Sequence, residues 1–322
     1  MRIVFFGSGA FGIPTLTALA KSHDVVGIVT QPDKPAGRGG SMTPTPVAEW
    51  ASTNSPAVRL IKTPACNAPG DMAAIRALGD QGPLAWVVIA FGQKLSPWLL
   101  EGRFAVNLHA SLLPRWRGAA PINWAILEGD AEAGNSVITL ADRMDAGMIL
   151  TQHARMIGPA TTAGDLHDAL ATDGPGLIEG VLAAHQAGTL TPRVQDESAV
   201  TLAPKLGKAD GWVDFARGAD TCRRRINGLS PWPGVVVRFR GEALRVLRAE
   251  SMTQAGPPEA EGGPPPGTIL DADEGFVLCG QGSVLRLHEV QAAGKRAMPW
   301  RDFANGQRVK AEEVFEGGRG AC

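Results

Sequence analysis

The chain is poor in cysteine, carries no excess of one charge sign and has no long apolar run, and each shortage closes off a class of protein. Its four cysteines, Cys66, Cys222, Cys279 and Cys322, lie far apart and form no C-x-x-C pair. Neither a zinc site nor a dense disulfide framework is suggested, and a reducing compartment fits. The six histidines lack a metal-ligand spacing such as H-E-x-x-H, so no metal is expected, and only His109 has informative neighbours. No stretch approaches the ~20 apolar residues that cross a bilayer. Met1 leads straight into Ile3-Val4-Phe5-Phe6 without a basic region or cleavage site, so the expectation is a cytoplasmic, soluble chain with no membrane association. Net charge is −1; from residue 206 onward 16 Lys and Arg stand against 15 Asp and Glu, and before it 15 against 17. Any nucleic-acid contact must then use local patches.

What is present is an ordinary folding composition, 44% hydrophobic over 322 residues, a length that favours two domains. The first half alternates short apolar runs with amphipathic stretches, the pattern of an α/β domain with a mostly parallel, Rossmann-like sheet. The runs predict strands over 2–6, 25–30, 85–90, 105–109 and 137–140, with helices over 13–21, 71–78, 121–127 and 163–187. Thr162 is a candidate cap and Gly188 a candidate stop for the last helix. From Gly188 the chain turns polar, with Pro192 and Pro204, and reads as a linker. Beyond it a helix over 219–229 precedes alternating runs at 235–239, 244–249, 268–270, 276–279 and 284–290, which predict a smaller antiparallel sheet or OB-like β-barrel. The expected division is 1–188, a linker over 189–206, and 207–322. The Pro- and Gly-rich stretch 256–267 is expected to be a mobile surface loop.

Gly7-Ser8-Gly9-Ala10-Phe11-Gly12 satisfies G-x-G-x-x-G between a predicted strand and helix, where a dinucleotide pyrophosphate would sit. The companion acid is not in place: the second strand ends Val29-Thr30-Gln31, and Asp33 follows only after Pro32. A glycine-assisted turn is the favoured reading.

The most informative stretch runs from Asn107 to Gly118. Asn107 and His109 are two apart at the end of an apolar run, so on a strand they share a face. Spacing alone leaves two readings: polar groups lining a crevice at the carboxyl edge of a sheet, or a strand-end pair bonded to nearby backbone. The wider string decides between them. Asn107-Leu108-His109 followed by Ser111-Leu112-Leu113-Pro114 and Arg117-Gly118 resembles the signature of folate-dependent formyltransferases, and Met144-Asp145-Ala146-Gly147 resembles their Asp-containing loop. Thr30–Gly39, Lys205-Leu206, Pro231-Trp232-Pro233-Gly234 and 293–298 look like the methionyl-tRNA formyltransferase family, so the resemblance covers almost the whole chain.

That resemblance implies a formyl transferase that moves the formyl group of 10-formyltetrahydrofolate to the amino group of initiator methionyl-tRNA. Asn107, His109 and Asp145 are the implied catalytic residues. The first two would donate to the formyl oxygen as it becomes negative, and Asp145 would orient the histidine and assist proton transfer from the amine. Whether His109 or Asp145 accepts that proton is open at this level. Phe91 and Gly92, with Ser111, Leu112, Leu113 and Pro114, match the stretches that contact folate in relatives. Phe91 stands where many relatives have Tyr, and Met148 where a small polar or acidic residue is common.

The loop over 31–46 carries four prolines, three glycines and the cations Lys34 and Arg38. It is too long and too poor in apolar residues for a simple turn, and is expected to be mobile until bound. In the family it wedges against the acceptor stem, with Arg38 matching the key arginine. Arg223-Arg224-Arg225 would fan over about 200° of a helix, so at most part of the run, Arg223 foremost, can meet one phosphate groove. Lys208, Lys295 and Arg296 are further tRNA candidates, and a monomer is expected. The competing readings are a formyltransferase for a small amine such as an amino sugar, an NAD-dependent oxidoreductase using 7–12, and a non-catalytic RNA-binding protein.

Overall fold

The computed structural model describes residues 1–36, 40–79, 84–255 and 263–318. They form two compact units: one holds 1–118, 134–155 and 167–202, the other 119–133, 156–166 and the chain from 203 onward. No helix among the described residues is long and apolar enough to cross a membrane.

In chain order the first part runs β1 (Arg2–Gly7), α1 (Ile13–Ser22), β2 (Asp24–Thr30), β3 (Lys34–Ala36), β4 (Ser41–Thr43), α2 (Pro46–Asn54), β5 (Arg59–Lys62), α3 (Pro69–Arg76), β6 (Leu84–Ile89), α4 (Pro97–Leu100) and β7 (Phe104–His109). It continues through β8 (Arg117–Gly118), α5 (Pro121–Glu128), β9 (Glu132–Thr139), β10 (Ile149–Met156), α6 (Ala163–Gln186) and β11 (Leu202–Ala203). The main sheet has the order β10-β9-β7-β6-β1-β2-β5. Its five strands from β7 to β5 are mutually parallel, while β9 runs antiparallel to β7. Every residue of β6 is buried, the condition of a strand covered on both faces, and its unbroken apolar run follows from that. The strand order reverses between β1 and β6, the point beyond whose carboxyl ends open α/β sheets bind their ligands, and β7 ends beside it.

The glycine fingerprint has a packing cause. A Cβ on Gly7 would lie 2.6 Å from the Phe5 ring and 2.8 Å from the Ile89 carbonyl oxygen. Only glycine lets β1 turn away this close to β6, so the motif is explained without a nucleotide. The helices begin with signals readable in the sequence. Pro46, Pro69, Pro97 and Pro121 each open a helix. The Thr45 hydroxyl accepts from the Ala48 N–H at 3.1 Å and the Ser96 hydroxyl from the Leu99 N–H at 3.3 Å. The 31–46 loop contains structure of its own: β3 and β4 pair antiparallel, Lys34 facing Thr43. Residues 37–39, with Arg38, lie outside the described residues.

In the second unit α5 is followed by α7 (Ala219–Gly228), β12 (Val235–Phe239), β13 (Glu242–Ala255), β14 (Ile269–Asp271), β15 (Phe276–Leu278), β16 (Ser283–Ala292), β17 (Met298–Pro299) and α8 (Trp300–Gln307). The strands pair antiparallel in the order β12-β13-β16-β15-β14, with β17 on β16. Register shifts at three points of β13 let this 14-residue strand bend. The segment 312–316 then joins the two outer strands. Arg238 of β12 exchanges main-chain bonds with Glu316 at 2.9 and 3.0 Å, while the Ile269 N–H donates to Glu313 O at 2.8 Å and the Phe315 N–H to Gly267 O at 2.9 Å. Inside lie Phe215, Phe239, Trp300, Phe303 and Phe315, all buried. Asn227 of α7 is wholly buried and reaches β13, donating to Ala249 O and accepting from its N–H. Most of the 256–267 loop lies outside the described residues.

Candidate active site

His109 is the last residue of β7, buried, and registered against Ser136 on β9. Its Nε2 stands 2.9 Å from the Trp116 carbonyl oxygen. A carbonyl can only accept, so Nε2 carries the hydrogen and donates. Nδ1 is thereby left facing Asp145, 3.6 Å from Oδ1. Asp145 is itself largely buried, and its Oδ2 accepts from the Gly118 N–H at 3.0 Å.

Both partners are presented by unusual backbone. Trp116 has φ 62° and Asp145 φ 54°, and on a third wall of the crevice Ala90 has φ 49°. Left-handed backbone at non-glycine residues is costly and concentrates where geometry is enforced. The Asp145 loop is enforced from several sides. Gly147 packs against β9 so closely that a Cβ there would lie 1.6 Å from the Thr139 carbonyl oxygen. The Met148 N–H donates to the Thr139 hydroxyl at 2.9 Å. The buried Gln195 amide donates to the Asp145 and Gly147 carbonyl oxygens at 2.7 and 2.8 Å. Gln195 is in turn gripped by Arg117, whose Nε and Nη2 donate to its Oε1 at 3.0 and 2.8 Å. Arg117 also reaches Glu197 at 2.8 Å and holds that carboxyl below its usual range.

Asn107 lies one pleat before His109, paired with Val88 and Ile138. Among the described residues its side-chain amide has no hydrogen-bond partner, and it is only partly buried. The 110–116 loop is pinned by Ser136 of β9, which donates to Ser111 O at 2.6 Å and accepts from the Leu113 N–H at 3.0 Å. Gln152 of β10 adds a bond to Leu113 O at 2.9 Å. Ser111 and Leu113 are buried, leaving Leu112 and Pro114 partly accessible. On the opposite wall the Phe91 ring packs edge-on against Phe6 in the core, 5.6 Å between centroids. The Phe91 carbonyl oxygen accepts from Gln31 Nε2 at 2.9 Å and from the Ser8 hydroxyl at 3.3 Å, so of Phe91 only the main-chain N–H is left for a ligand. Gly92 beside it is exposed at φ 77°, and a Cβ there would strike the Gln31 amide at 2.5 Å. The structure thus brings Asn107, His109 and Asp145 to one edge of the sheet, bordered by loops 90–92 and 111–114.

The cations expected to meet tRNA stand in several elements. Lys34 of β3 is exposed and donates to Gln31 Oε1 at 2.7 Å. Lys208, Lys295 and Arg296 are exposed in turns of the second unit. Arg223 is turned inward: its guanidinium donates to Asp220 at 2.7 Å and to Pro159 O at 3.2 Å. Arg224 donates to Glu128 O, and Arg225 donates to Trp212 O and Asp210 O while lying 3.9 Å over the Trp212 ring. The run of three is thus employed within its own unit.

Sequence reasoning missed Gln195, Glu197, Ser136 and Gln152 altogether and gave Arg117 no role. Gln195 sits in the stretch read as linker, and no periodicity or spacing marks it. Among the described residues no cluster of three or more His, Cys, Asp or Glu could hold a metal.

The formyl transferase family profile matches residues 1–182, and that of the formyl transferase C-terminal domain matches 205–308. Methionyl-tRNA formyltransferase of Heliobacterium modesticaldum is 40% identical over 319 residues, covering 96% of this chain and 98% of its own. That of Acidiphilium cryptum is 42% identical over 314 residues, covering 96% and 98%. Among solved structures, the sugar 3N-formyl transferase WlaRD, crystallised with dTDP and 5-N-formyl-THF, superposes with a TM-score of 0.65 at 13% identity, over 92% of this chain and 99% of its own. HypX from Aquifex aeolicus, in complex with tetrahydrofolic acid, superposes with a TM-score of 0.63 at 14% identity over 97% of this chain, which spans 48% of HypX. Those two likenesses speak for the fold, and the closer kinship in sequence places this chain in the methionyl-tRNA formyltransferase family.

Proposed function

We propose that this chain transfers the formyl group of 10-formyltetrahydrofolate to the amino group of initiator methionyl-tRNA in the cytoplasm, acting as a monomer with Asn107, His109 and Asp145 as its catalytic residues. The observation that carries the reading is the convergence of a side-chain amide with no partner among the described residues, an imidazole with Nδ1 uncommitted and a largely buried carboxylate at one sheet edge. The kinship of the full chain to methionyl-tRNA formyltransferases supports the substrate, and the folates held by its structural neighbours support the donor.

The residues around the crevice fit a folate. Its pterin needs main-chain donors and acceptors, for which loops 90–92 and 111–114 stand at the same sheet edge, and Gly92, exposed at φ 77°, sets no side chain of its own between them. When bound, the folate supplies an acyl carbon on a nitrogen leaving group. The Asn107 amide donates to the formyl oxygen as charge develops there. His109 Nδ1 takes the proton from the attacking amine, and Asp145 steadies the imidazolium at 3.6 Å. The same nitrogen then returns that proton to the departing folate nitrogen. In this assignment the proton acceptor is His109, because its Nε2 is already committed as a donor.

The tRNA would meet Lys34 and Arg38 of the first unit and Lys208, Lys295 and Arg296 of the second, with Arg223 contributing through whatever its internal bonds leave open. The 1–188 and 207–322 segments, joined by 189–206, remain our assignment of catalytic and tRNA-binding parts.

The deciding measurement is incorporation of labelled formyl into methionyl-tRNA by the purified chain. Product that forms with an amino sugar but not with methionyl-tRNA would overturn the assignment. Arg38→Ala should raise the KM for methionyl-tRNA at least tenfold and leave folate binding unchanged. An unchanged KM removes Arg38 from the interface.

A further inference from the structure

We propose that Gln195, oriented by Arg117, is a positioning residue for the reaction: it sets the Asp145 carboxylate against His109, and losing it costs turnover and not substrate affinity. The inference rests on the roles given above to His109 and Asp145.

From Gly147 onward the Asp145 loop is tied to β9, but at Asp145 itself it depends on other contacts. Met144 before it is 68% exposed, so no apolar anchor ties this side down, and Asp145 sits in the left-handed region. Its fixed points are polar. The Gly118 N–H takes Oδ2, and the Gln195 amide bridges the carbonyl oxygens on either side of Ala146. The orientation of that amide is not a free choice. A guanidinium has donors only, so Gln195 Oε1 must face Arg117, and Nε2 must face the loop. Both the amide and the guanidinium are buried, which makes an unmade bond here expensive.

The chain that does this is short. Trp116 O receives the hydrogen of His109 Nε2, the Arg117 side chain holds Gln195, and the Gly118 N–H holds Asp145 Oδ2. Three consecutive residues therefore fix the ring, the brace and the carboxylate. Glu197 balances the buried cation from the outside, at 2.8 Å from Nη2, with Arg143 on its far oxygen at 3.0 Å. A purely structural reading, in which Gln195 and Arg117 only tie down the 195–197 stretch, leaves unexplained why both amide hydrogens are spent on the catalytic loop.

The test is a double-mutant cycle on the full chain, read by single-turnover formyl transfer to methionyl-tRNA with steady-state KM values alongside. Gln195→Met keeps length and loses every hydrogen bond. It should lower kcat 10- to 100-fold, with both KM values within twofold of the parent. In an Asp145→Asn background the same change should cost less than a further twofold, since the group it positions is already disabled. Full turnover by Asp145→Asn alone refutes the catalytic reading beneath the proposal. A slow Asp145→Asn together with a parental kcat for Gln195→Met, or an equal loss in both backgrounds, overturns the brace itself. Gln195→Asn keeps the amide but falls one methylene short of spanning its contacts. It carries the same expectations, and decides the matter should the Met variant not fold by circular dichroism.

Discussion

A left-handed residue that is not glycine costs roughly 1–3 kcal/mol, and in the first unit the described cases are Ala90, Trp116 and Asp145. Trp116 turns its carbonyl to His109 Nε2 and Asp145 its carboxyl toward Nδ1, so two of the three costs fall at the proposed catalytic residues. Asn107→Ala and His109→Ala should each lower kcat by on the order of 10²–10³, the usual effect of removing one donor or base at such a site. Binding of tRNA should be nearly unchanged, and rapid-quench assays beside filter binding would separate the two. Preserved turnover in His109→Ala refutes its role. Gly147 offers a different probe, because it touches no reacting group. Its Cβ would overlap the Thr139 carbonyl, so Gly147→Ala must push the loop off β9. We expect a kcat at least tenfold lower with the melting temperature reduced only slightly, and a parental kcat would mean that the loop tolerates displacement.

At the scale of elements, the start of α6 shows how a local signal becomes a tertiary tie. Thr162 and Asp165 cap it reciprocally, each side chain accepting the other's main-chain N–H at 3.1 and 2.9 Å. The Asp165 carboxyl also receives Arg248 of β13 at 3.0 Å. That hydrogen bond, with the caps, holds Asp165 down at about 2. An unfolded Asp titrates near ~3.9, so the tie stabilises fully above that pH and is lost as pH falls toward 2. Arg248→Met should therefore be less stable than the parent at neutral pH, and the gap should close between about pH 4 and pH 2 in denaturant titrations. A gap independent of pH would assign the loss to packing. Among the elements, those with strong patterns were legible: the buried runs of β1, β6 and β7 and the periodicity of α6. What escaped were edge and short pieces, β5, β10, α2 and α8. Edge strands such as Ile149–Met156 are exposed over half their length, so no alternation need appear in them, and α8 follows a proline with only Trp300, Phe303 and Ala304 buried.

Over the whole molecule, the charge balance that denied a basic domain sets an expectation for tRNA affinity. Six cations are our candidates, Arg223 only in part, and each phosphate contact contributes a slope of about −0.9 in log K against log salt. The slope for methionyl-tRNA should then be no steeper than about −5, and a steeper one would require a surface beyond these residues. The site was legible to the extent that its groups lay in a contiguous string. Asn107, His109 and the 111–114 loop share one stretch, whereas the brace depends on Gln195 folding back from nearly 80 positions beyond Arg117, and such a meeting leaves no mark in spacing. The closing segment of the second unit is a similar long-range device. Phe315 packs against Phe239 and Trp300 with centroids 5.1 and 5.9 Å away, so Phe315→Ala should destabilise this unit by ~3–5 kcal/mol, measurable by calorimetry. Because 312–316 serves β12 on one side and β14 on the other, a chain cut before residue 312 would bare two strand borders at once, each able to recruit a neighbouring copy, and such a product should be recovered as aggregates and not as a loosened monomer.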